Sequence, residues 1–421
     1  MLDSWHVSEE PPTPAAQPTH GRAALAFIFI TVMLDMLALG MIIPVLPKLI
    51  EQFEGGDTAS AARLIGVFGT LWASMQFLAS PILGALSDHF GRRPVVLLSN
   101  FGLGLDYVFM AVSPSIGWLL VGRMISGVTS ASIVTAFAYV ADIAAPEKRA
   151  RSFGLMGAAF GIGFIIGPAM GGVLSSVSPR LPFWVAAGLS LTNGMYGLFI
   201  LPESLPPERR APFAWTRANP LGSLRLLRSH PQLMGFATVH FLYNLAHQSL
   251  ASVFVLYASY RYQWTTADVG WALTAVGVAF AIVQGGLVGP LVGHFGERRT
   301  LVAGLIAGAI GFAFYGLATT GWWFAAGIPV MSMWGLYGPS AQGLMTRRVG
   351  PTEQGRLQGA LSSVSGITGI VGPGLFSMTF ATAIGPLARY NFPGAPFVLA
   401  STLLTVGAVI GYRLTHGSAA A

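Results

Sequence analysis

Long apolar stretches separated by short polar connections run along almost the whole chain. Apolar stretches of about 18 or more residues are typical of transmembrane helices, because about 20 residues cross a hydrocarbon core of about 30 Å. We predict twelve such helices, at residues 23–46, 64–86, 94–113, 117–140, 153–177, 182–202, 233–258, 268–292, 300–319, 322–345, 357–381 and 394–414. The pattern therefore predicts an all-α integral membrane protein.

The chain also contains an internal parallel repeat. The segment GALSDHFGRRP at 84–94 returns 205 positions later as GPLVGHFGERR at 289–299, and only the first copy keeps its charged pattern. At the same offset, Pro146, Arg151, Gly154 and Gly167-Pro168 fall on Pro351, Arg356, Gly359 and Gly372-Pro373. Parallel repeats in a hydrophobic chain are typical of transporters, whose halves rock about a shared midplane site. We predict two six-helix halves with the functional site between them.

Polar segments divide the chain into five parts. We expect a disordered cytoplasmic tail without a signal peptide at 1–22, the first half at 23–202, a cytoplasmic linker at 203–231, the second half at 232–414 and a cytoplasmic tail at 415–421. Within the linker, Leu221, Leu224 and Leu227 form either a short amphipathic helix on the membrane surface or part of a plain loop.

Composition and charge agree with this architecture. Only 9% of residues are charged, against about a quarter in soluble domains, so lipid is the main solvent. If both termini are cytoplasmic, all but six of the 23 basic residues lie on that side, which predicts an inner (plasma) membrane location. The net charge of +7 then reflects topology and anionic lipid rather than nucleic acid. The absence of cysteine excludes thiolate metal sites and iron–sulfur clusters, and we predict no cofactor.

Two carboxylates and one cation fall inside predicted spans. Asp35 and Asp106 each lie about twelve residues into a span, near the midplane, and Arg123 lies in the fourth span. A charge at the centre of a span costs about 2.5–3.5 kcal/mol, so such residues usually face a cavity. A carboxyl group there can exchange a proton, which indicates proton coupling; the alternative is a structural carboxylate between helices. Arg123 either pairs with one carboxylate or reaches the outer interface or backbone carbonyls.

The seventh predicted helix carries a polar stripe. His240, Asn244, His247 and Gln248 share one face by their spacing, and Gln284 lies in the eighth helix. We predict substrate contacts by Asn244, His247, Gln248 and Gln284, with His247 the strongest candidate. Interhelical hydrogen bonding is the alternative. We predict no metal site, because the two histidines have no nearby intramembrane carboxylate in the same half.

Two glycine-containing segments complete the candidate machinery. Between the second and third spans we predict a cytoplasmic gate made of Gly84, Asp88, Gly91, Arg92 and Arg93, with Asp142 as partner of an arginine and Asp88 capping a helix of the second half. In the fifth span, glycines at four-residue spacing predict close helix packing and a proline predicts a kink, at Gly163, Gly167, Pro168, Gly171 and Gly172.

From about residue 22 to 414 the chain resembles the major facilitator superfamily. The carriers of the resemblance are GALSDHFGRRP (84–94), the antiporter-like GFIIGPAMGG (163–172) and VGRMISG (121–127). A closer resemblance is to the twelve-span tetracycline resistance efflux proteins, through LDMLALGMIIPVLP (34–47), LDY (105–107), the spacing of Asn244 and Gln248, and EQGRLQG (353–359). This resemblance implies transport roles for Asp35, Asp88, Asp106, Arg92 and Arg123.

The chain departs from the tetracycline group at two positions. Phe280 and Gly308 stand where that group has a histidine and an aspartate that handle a metal-chelated drug, so we expect weak tetracycline transport. We predict a monomeric proton-coupled efflux antiporter for lipophilic or amphiphilic compounds, multidrug or tetracycline-like. The alternatives are a proton-coupled or facilitative metabolite carrier and a non-transporting membrane receptor. No GxxxxGK[ST] phosphate-binding loop occurs, so neither an enzyme nor an ATP-driven pump is predicted.

Overall fold

A computed structural model describes residues 20–130, 132–144, 148–213, 219–224, 226–227, 231–350 and 353–416. The predicted tails at 1–22 and 415–421 lie largely outside these residues. Within the described part of the chain every regular element is a helix, as the sequence predicts.

In the described residues, seven helices precede the polar connection. They are α1 (His20–Phe53), α2 (Thr58–Phe90), α3 (Arg92–Val112), α4 (Ile116–Thr129), α5 (Ser132–Ile143), α6 (Arg149–Val177) and α7 (Leu181–Ile200). Of the predicted linker, two short 3-10 turns are described, at Pro207–Arg209 and Gly222–Leu224. The amphipathic helix considered for this linker lies partly outside the described residues.

Eight helices follow the connection in the part of the chain that the structure describes. They are α8 (Pro231–Tyr262), α9 (Thr266–Ile282), α10 (Val288–Leu317), α11 (Gly321–Ala326), α12 (Ile328–Ser332), α13 (Tyr337–Thr346), α14 (Gln354–Ile384) and α15 (Ala395–His416). A π-helix at Val283–Leu287 joins α9 to α10, and a 3-10 helix at Met333–Leu336 joins α12 to α13. The single tenth helix predicted at 322–345 is thus a series of short helices.

Nine helical stretches in the described residues are long and apolar enough to cross a membrane. One of them, Thr266–Leu317, includes a non-helical residue at Gly296, whose φ is 77°. Helix α8, with its polar stripe, and the broken segment 321–346 are not among the nine. The number and length of these apolar helices identify a multi-pass membrane protein.

Helix α6 packs by backbone contact against α1. The contact surface consists of three glycines at four-residue spacing, Gly163, Gly167 and Gly171. A Cβ atom on Gly167 would lie 2.7 Å from the carbonyl oxygen of Leu37 and 2.8 Å from the Cα of Gly40. Only hydrogen fits at such distances, so the close packing predicted from the glycine spacing is present.

Each proline of the repeated Gly-Pro pair lies at a contact between an early and a late helix. The carbonyl oxygen of Pro168 in α6 abuts Gly270 of α9. Pro373, its counterpart in α14, abuts Gly69 of α2, where an added Cβ would lie 2.6 Å from the proline Cβ. Two parallel contacts, α6 with α9 and α2 with α14, therefore connect the first seven helices to the later ones.

We call the end of the bundle where α2 ends and α3 begins the basic end. No described atom lies within 4 Å of a Cβ placed on Gly84, Gly157, Gly161 or Gly289, which lie on this side of the contacts. At the opposite end a Cβ on Gly385, which follows α14, would lie 3.9 Å from the Cβ of Ala59 in α2. Gly84, a residue of the predicted cytoplasmic gate, therefore has open space beside it in this conformation.

Gly167→Ala should destabilise the folded protein by about 1–3 kcal/mol, because the added methyl group meets the backbone of α1. Thermal unfolding in detergent, followed by tryptophan fluorescence, measures the effect. Gly161→Ala on the same helix is the matched control: the methyl group finds open space, and alanine favours a helix over glycine by up to about 1 kcal/mol. Equal unfolding temperatures for the two variants would contradict this packing.

Candidate functional site

Asp35 lies in the middle of α1 and is 8% exposed. It makes no hydrogen bond or ion pair with any described residue. The α1 backbone on both sides of it, at Met33 and Leu37, is held against α6 by the glycine contacts. A single carboxyl group is thus fixed in the interior without a compensating partner, an arrangement that is costly unless a proton or a ligand binds there.

Asp106 of α3 is a second buried carboxyl group, 1% exposed, and neither of its oxygens has a hydrogen-bond partner among the described residues. It lies against α4 at Gly122, where an added Cβ would be 3.1 Å from Oδ1. Ser126 and Arg123 on the same helix are its nearest polar neighbours. Arg123 is within electrostatic range of Asp106, but the two make no ion pair, and Arg123 Nε is buried without a partner.

The Arg123 guanidinium lies instead over the ring of Trp72 in α2, with Cζ 5.2 Å from the ring centroid. Gly127 makes this possible, because its Cβ position is 2.6 Å from the backbone oxygen of Trp72. The two glycines that flank Arg123 therefore bring α4 against two different neighbours, Asp106 through Gly122 and Trp72 through Gly127. The motif VGRMISG gives one arginine two alternative partners, a carboxylate and an aromatic ring.

Tyr107 connects these charged groups. Its phenol is 4% exposed and lies within electrostatic range of Asp35, Asp106 and Arg123. The structure thus brings the three proton-coupling candidates into one cluster around a tyrosine. The sequence analysis did not single out Tyr107, because an aromatic residue beside an aspartate in an apolar helix has no distinguishing pattern.

At the basic end, Arg92 forms the centre of an ion-pair network. Its Nη1 lies 2.5 Å from Asp88 Oδ1, and its Nε lies 3.1 Å from Asp142 Oδ2. The predicted partner Asp142 is therefore paired with Arg92, while Arg93 donates to the carbonyl oxygen of Leu198. Among the described residues, Asp88 pairs with Arg92 of its own loop, and its capping of a helix of the second half stays a prediction.

Glu203 contacts residues of the predicted gate, and the sequence analysis missed it. Its carboxylate accepts hydrogen bonds from the backbone N–H groups of Arg92, at 2.8 Å, and Arg93, at 3.2 Å, at the start of α3. An anion there is favoured by the helix dipole and the free N–H groups. Position 91 requires glycine for two reasons: its φ is 106°, and a Cβ there would collide with the Glu203 carboxylate. Glu203 belongs to the predicted linker, which gave no reason to connect it with a loop 110 residues earlier.

The second copy of the loop keeps an ion pair with its charges reversed. Glu297 stands 205 positions after Arg92, and Arg347 stands 205 positions after Asp142. Arg347 Nη2 lies 2.8 Å from Glu297 Oε1. The expectation that only the first copy keeps the charged pattern is therefore wrong: exchanging both signs preserves the attraction while changing both residues.

The polar stripe of α8 divides among several contacts. His240 Nε2 lies 3.2 Å from Ser365 Oγ of α14, and Asn244 donates to the carbonyl oxygen of His240. Gln248 packs against Gly372 of α14. His247 is exposed although Leu245 and Ala246 beside it are buried. Of the stripe, His247 is therefore the side chain most accessible to a ligand.

The remaining predicted contact, Gln284, is half-buried within the π-helix at Val283–Leu287. Such π-helical turns frequently occur at functional sites. Among the described residues no group of three or more histidine, aspartate or glutamate side chains could hold a metal ion.

Phe280 and Gly308 lie on opposite sides of one short segment. The ring of Phe280 packs against Gly335, whose Cβ position is 2.8 Å from Phe280 Cε2. Gly308 lies against Trp334, the residue before Gly335: a Cβ on Gly308 would be 3.0 Å from Trp334 Cβ. The space that an aspartate side chain would need at position 308 is taken by Trp334, so this wall of the bundle is aromatic rather than acidic.

Comparison with known proteins gives consistent results. The model of the Major Facilitator Superfamily matches the chain over residues 28–373 and 236–420. The class C tetracycline resistance protein of Escherichia coli is 38% identical over 91% of this chain and 95% of its own length. The class G tetracycline resistance protein of Vibrio anguillarum is 37% identical over 86% of this chain and 92% of its own.

Solved structures share the fold. A bacterial homologue of the human lysosomal transporter Spinster, inward-facing and unoccupied, has a TM-score of 0.77 at 15% identity and covers 95% of this chain and 98% of its own. The human organic anion transporter TETRAN has a TM-score of 0.69 at 23% identity and covers 94% of this chain and 100% of its own. At these identities the likeness is one of fold alone.

Trp72→Leu should slow substrate-driven proton exchange about threefold to tenfold. A cation–π contact contributes about 0.5–2 kcal/mol, and without it we expect Arg123 to pair with Asp106 instead. Trp72→Tyr keeps an aromatic face and should retain most of the rate. Stopped-flow proton exchange in proteoliposomes measures both, with Trp118→Leu, an exposed tryptophan of the same helix as Arg123, as control. An unchanged rate in Trp72→Leu would mean that the ring serves packing only.

Proposed function

Because this chain belongs to the Major Facilitator Superfamily, we propose that it is a proton-driven efflux antiporter for lipophilic or amphiphilic compounds. The observation that carries the proposal is the cluster of Asp35, Asp106 and Arg123, three ionisable groups inside the bundle without an ion pair between them. Charged groups are rarely retained in a membrane interior unless they bind ions or substrates. The transporter acts on small molecules and carries out no covalent chemistry.

We propose twelve spans in two halves. The first half takes α1, α2, α3, α4 with α5, α6 and α7. In the second half Gly296 divides α10 between two spans, and the short helices at 321–346 together form one. The contacts of Pro168 with Gly270 and of Pro373 with Gly69 support a repeated design, because the two equivalent prolines each contact a helix of the opposite half.

By the positive-inside rule we assign the basic end and both termini to the cytoplasm, and we propose that the protein lies in the inner membrane. We propose that the conformation described is inward-open, and the open space beside Gly84 and Gly289 supports this. Closing this end and opening the other would require the halves to rock about the Gly-Pro contacts. The ion pairs of Arg92 and Arg347 lie where such a motion would have its largest amplitude.

Proton exchange follows from the cost of an uncompensated carboxylate. In the inward-open state Asp35 releases its proton to the cytoplasm, and the charged form favours a cationic or amphiphilic substrate. In the outward-open state a proton from the outside neutralises the carboxylate and releases the substrate. The proton and the substrate each remove the energetic cost of a buried, charged Asp35. They therefore compete for one site and exchange across the membrane.

Arg123 gives Asp106 a means to respond to protonation. When Asp106 is charged, the guanidinium is attracted to it across Gly122; when Asp106 is neutral, the guanidinium rests on Trp72. The conformation described corresponds to the second case. Moving one cation between two partners on adjacent helices changes the contacts of α4 with α2 and α3, which links proton binding to helix movement.

Asp35→Asn should abolish substrate-driven proton movement while leaving the protein folded, because the amide has the same shape but does not titrate. Proton flux in proteoliposomes with a pH-sensitive dye measures this. Glu208→Gln, in an exposed turn of the linker, is the control and should behave as wild type. Wild-type flux from Asp35→Asn would remove Asp35 from the coupling mechanism.

We propose that magnesium-chelated tetracycline is transported weakly although sequence relatives are tetracycline resistance proteins. A metal-chelated drug gains affinity through charge and hydrogen bonding, whereas the wall at Phe280 and Gly308 offers apolar and aromatic contact. In an efflux-deficient host we expect better protection against lipophilic cations than against tetracycline. Strong magnesium-dependent uptake of tetracycline into inverted vesicles would contradict this and point to His247 or Gln284 as polar contacts.

A further inference from the structure

Five aromatic rings form a continuous stack between α8 and the segment 334–337. Tyr243 and His247 of α8 alternate with Trp334 and Tyr337, and His240 lies at one end. Ring centroids are 6.2 Å apart for His240 and Tyr337, 4.1 Å for Tyr337 and Tyr243, 4.9 Å for Tyr243 and Trp334, and 4.8 Å for Trp334 and His247. Interplanar angles of 24–30° keep the rings nearly parallel.

Contacts with other helices hold the stack in place at His240 and at Trp334. His240 is fixed to α14 by its contact with Ser365, at 3.2 Å. Trp334 is 5% exposed and is supported edge-on by Phe312, at 5.8 Å. Gly308 leaves room for its backbone. The buried rings are therefore held in place without any ligand.

The other end of the stack is open. His247 has one face on Trp334 and is nevertheless exposed, in the middle of a helix whose neighbouring residues are buried. No hydrogen bond fixes its ring in the described residues, so stacking on Trp334 sets its plane. A rigid ring with a free face continues a stack readily, since offset parallel aromatic pairs are favourable beyond the area that they bury.

We infer that the free face of His247 is a stacking subsite for a planar aromatic ring of the transported compound. The inference rests on the proposed function and specifies its substrate class: compounds with a flat, polycyclic aromatic body. Trp334 acts as a positioning residue, because it orients His247 without contacting the ligand. Within α8 the described part of this face carries no charged side chain before Arg261, so the subsite recognises shape and π-surface rather than charge.

The test compares a planar and a non-planar cation, ethidium and tetraphenylphosphonium, on purified protein in detergent. Loss of one aromatic pair corresponds to roughly a threefold to tenfold change in affinity. His247→Ala should raise the Kd of ethidium by about that factor and leave the Kd of tetraphenylphosphonium unchanged. His247→Phe restores a planar ring and should bring ethidium binding back to within about twofold of wild type.

Trp334→Leu should weaken ethidium binding in the same way, since it frees the plane of His247. Equal ethidium affinity in wild type and His247→Ala would overturn the inference, as would no ethidium binding by wild type. If His247→Ala weakened the binding of ethidium and tetraphenylphosphonium equally, the inference would also be overturned, because a collapsed cavity does not distinguish flat from non-flat ligands. Selective, ring-dependent ethidium binding without any proton exchange would instead support the subsite and refute the antiport mechanism.

Discussion

The rest of the structure depends on the backbone contact of α6 with two neighbouring helices, α1 and α9. On one side the glycines of α6 hold the α1 segment that carries Asp35, and on the other Pro168 and Gly172 meet the start of α9. The contact therefore does two things at once. It fixes a carboxyl group in the interior, and it joins an early helix to a late one. A side chain at Gly167 would disturb both.

The two parts of the bundle then contribute different chemistry. Around Tyr107, the early helices supply charged groups whose pairing is incomplete, so that a proton can change which contacts are made. The later helices supply a rigid aromatic wall that ends at His247. This combination suits a site that must release an amphiphilic compound when a proton arrives. Protonation removes the electrostatic attraction between the compound and a carboxylate, whereas stacking on the aromatic wall does not change.

Sequence periodicity was sufficient to predict the helices and to place Asp35 and Asp106 inside them, because length and polarity alone determine those properties. It could not predict that Arg123 lies over Trp72, since that choice depends on how α2 and α4 are rotated. The capping of α3 by Glu203 and the stack of Tyr243 with Trp334 join residues about a hundred positions apart, which no local pattern records. The Glu297–Arg347 pair was not predicted, because both of its charges are opposite in sign to those of the Arg92–Asp142 pair.

The central claim is that the halves rock about the Gly-Pro contacts, so opposite ends of the bundle must move in opposite senses. The chain has no cysteine, so spin-label pairs can be introduced without background. One pair at Gly84→Cys and Gly355→Cys reports the basic end, and a second at Gly56→Cys and Leu387→Cys reports the other. Because the account assigns a neutral Asp106 to the inward-open state, it predicts that on acidification in lipid the first distance lengthens while the second shortens. Distances that stay constant, or that change in the same direction at both ends, would contradict it.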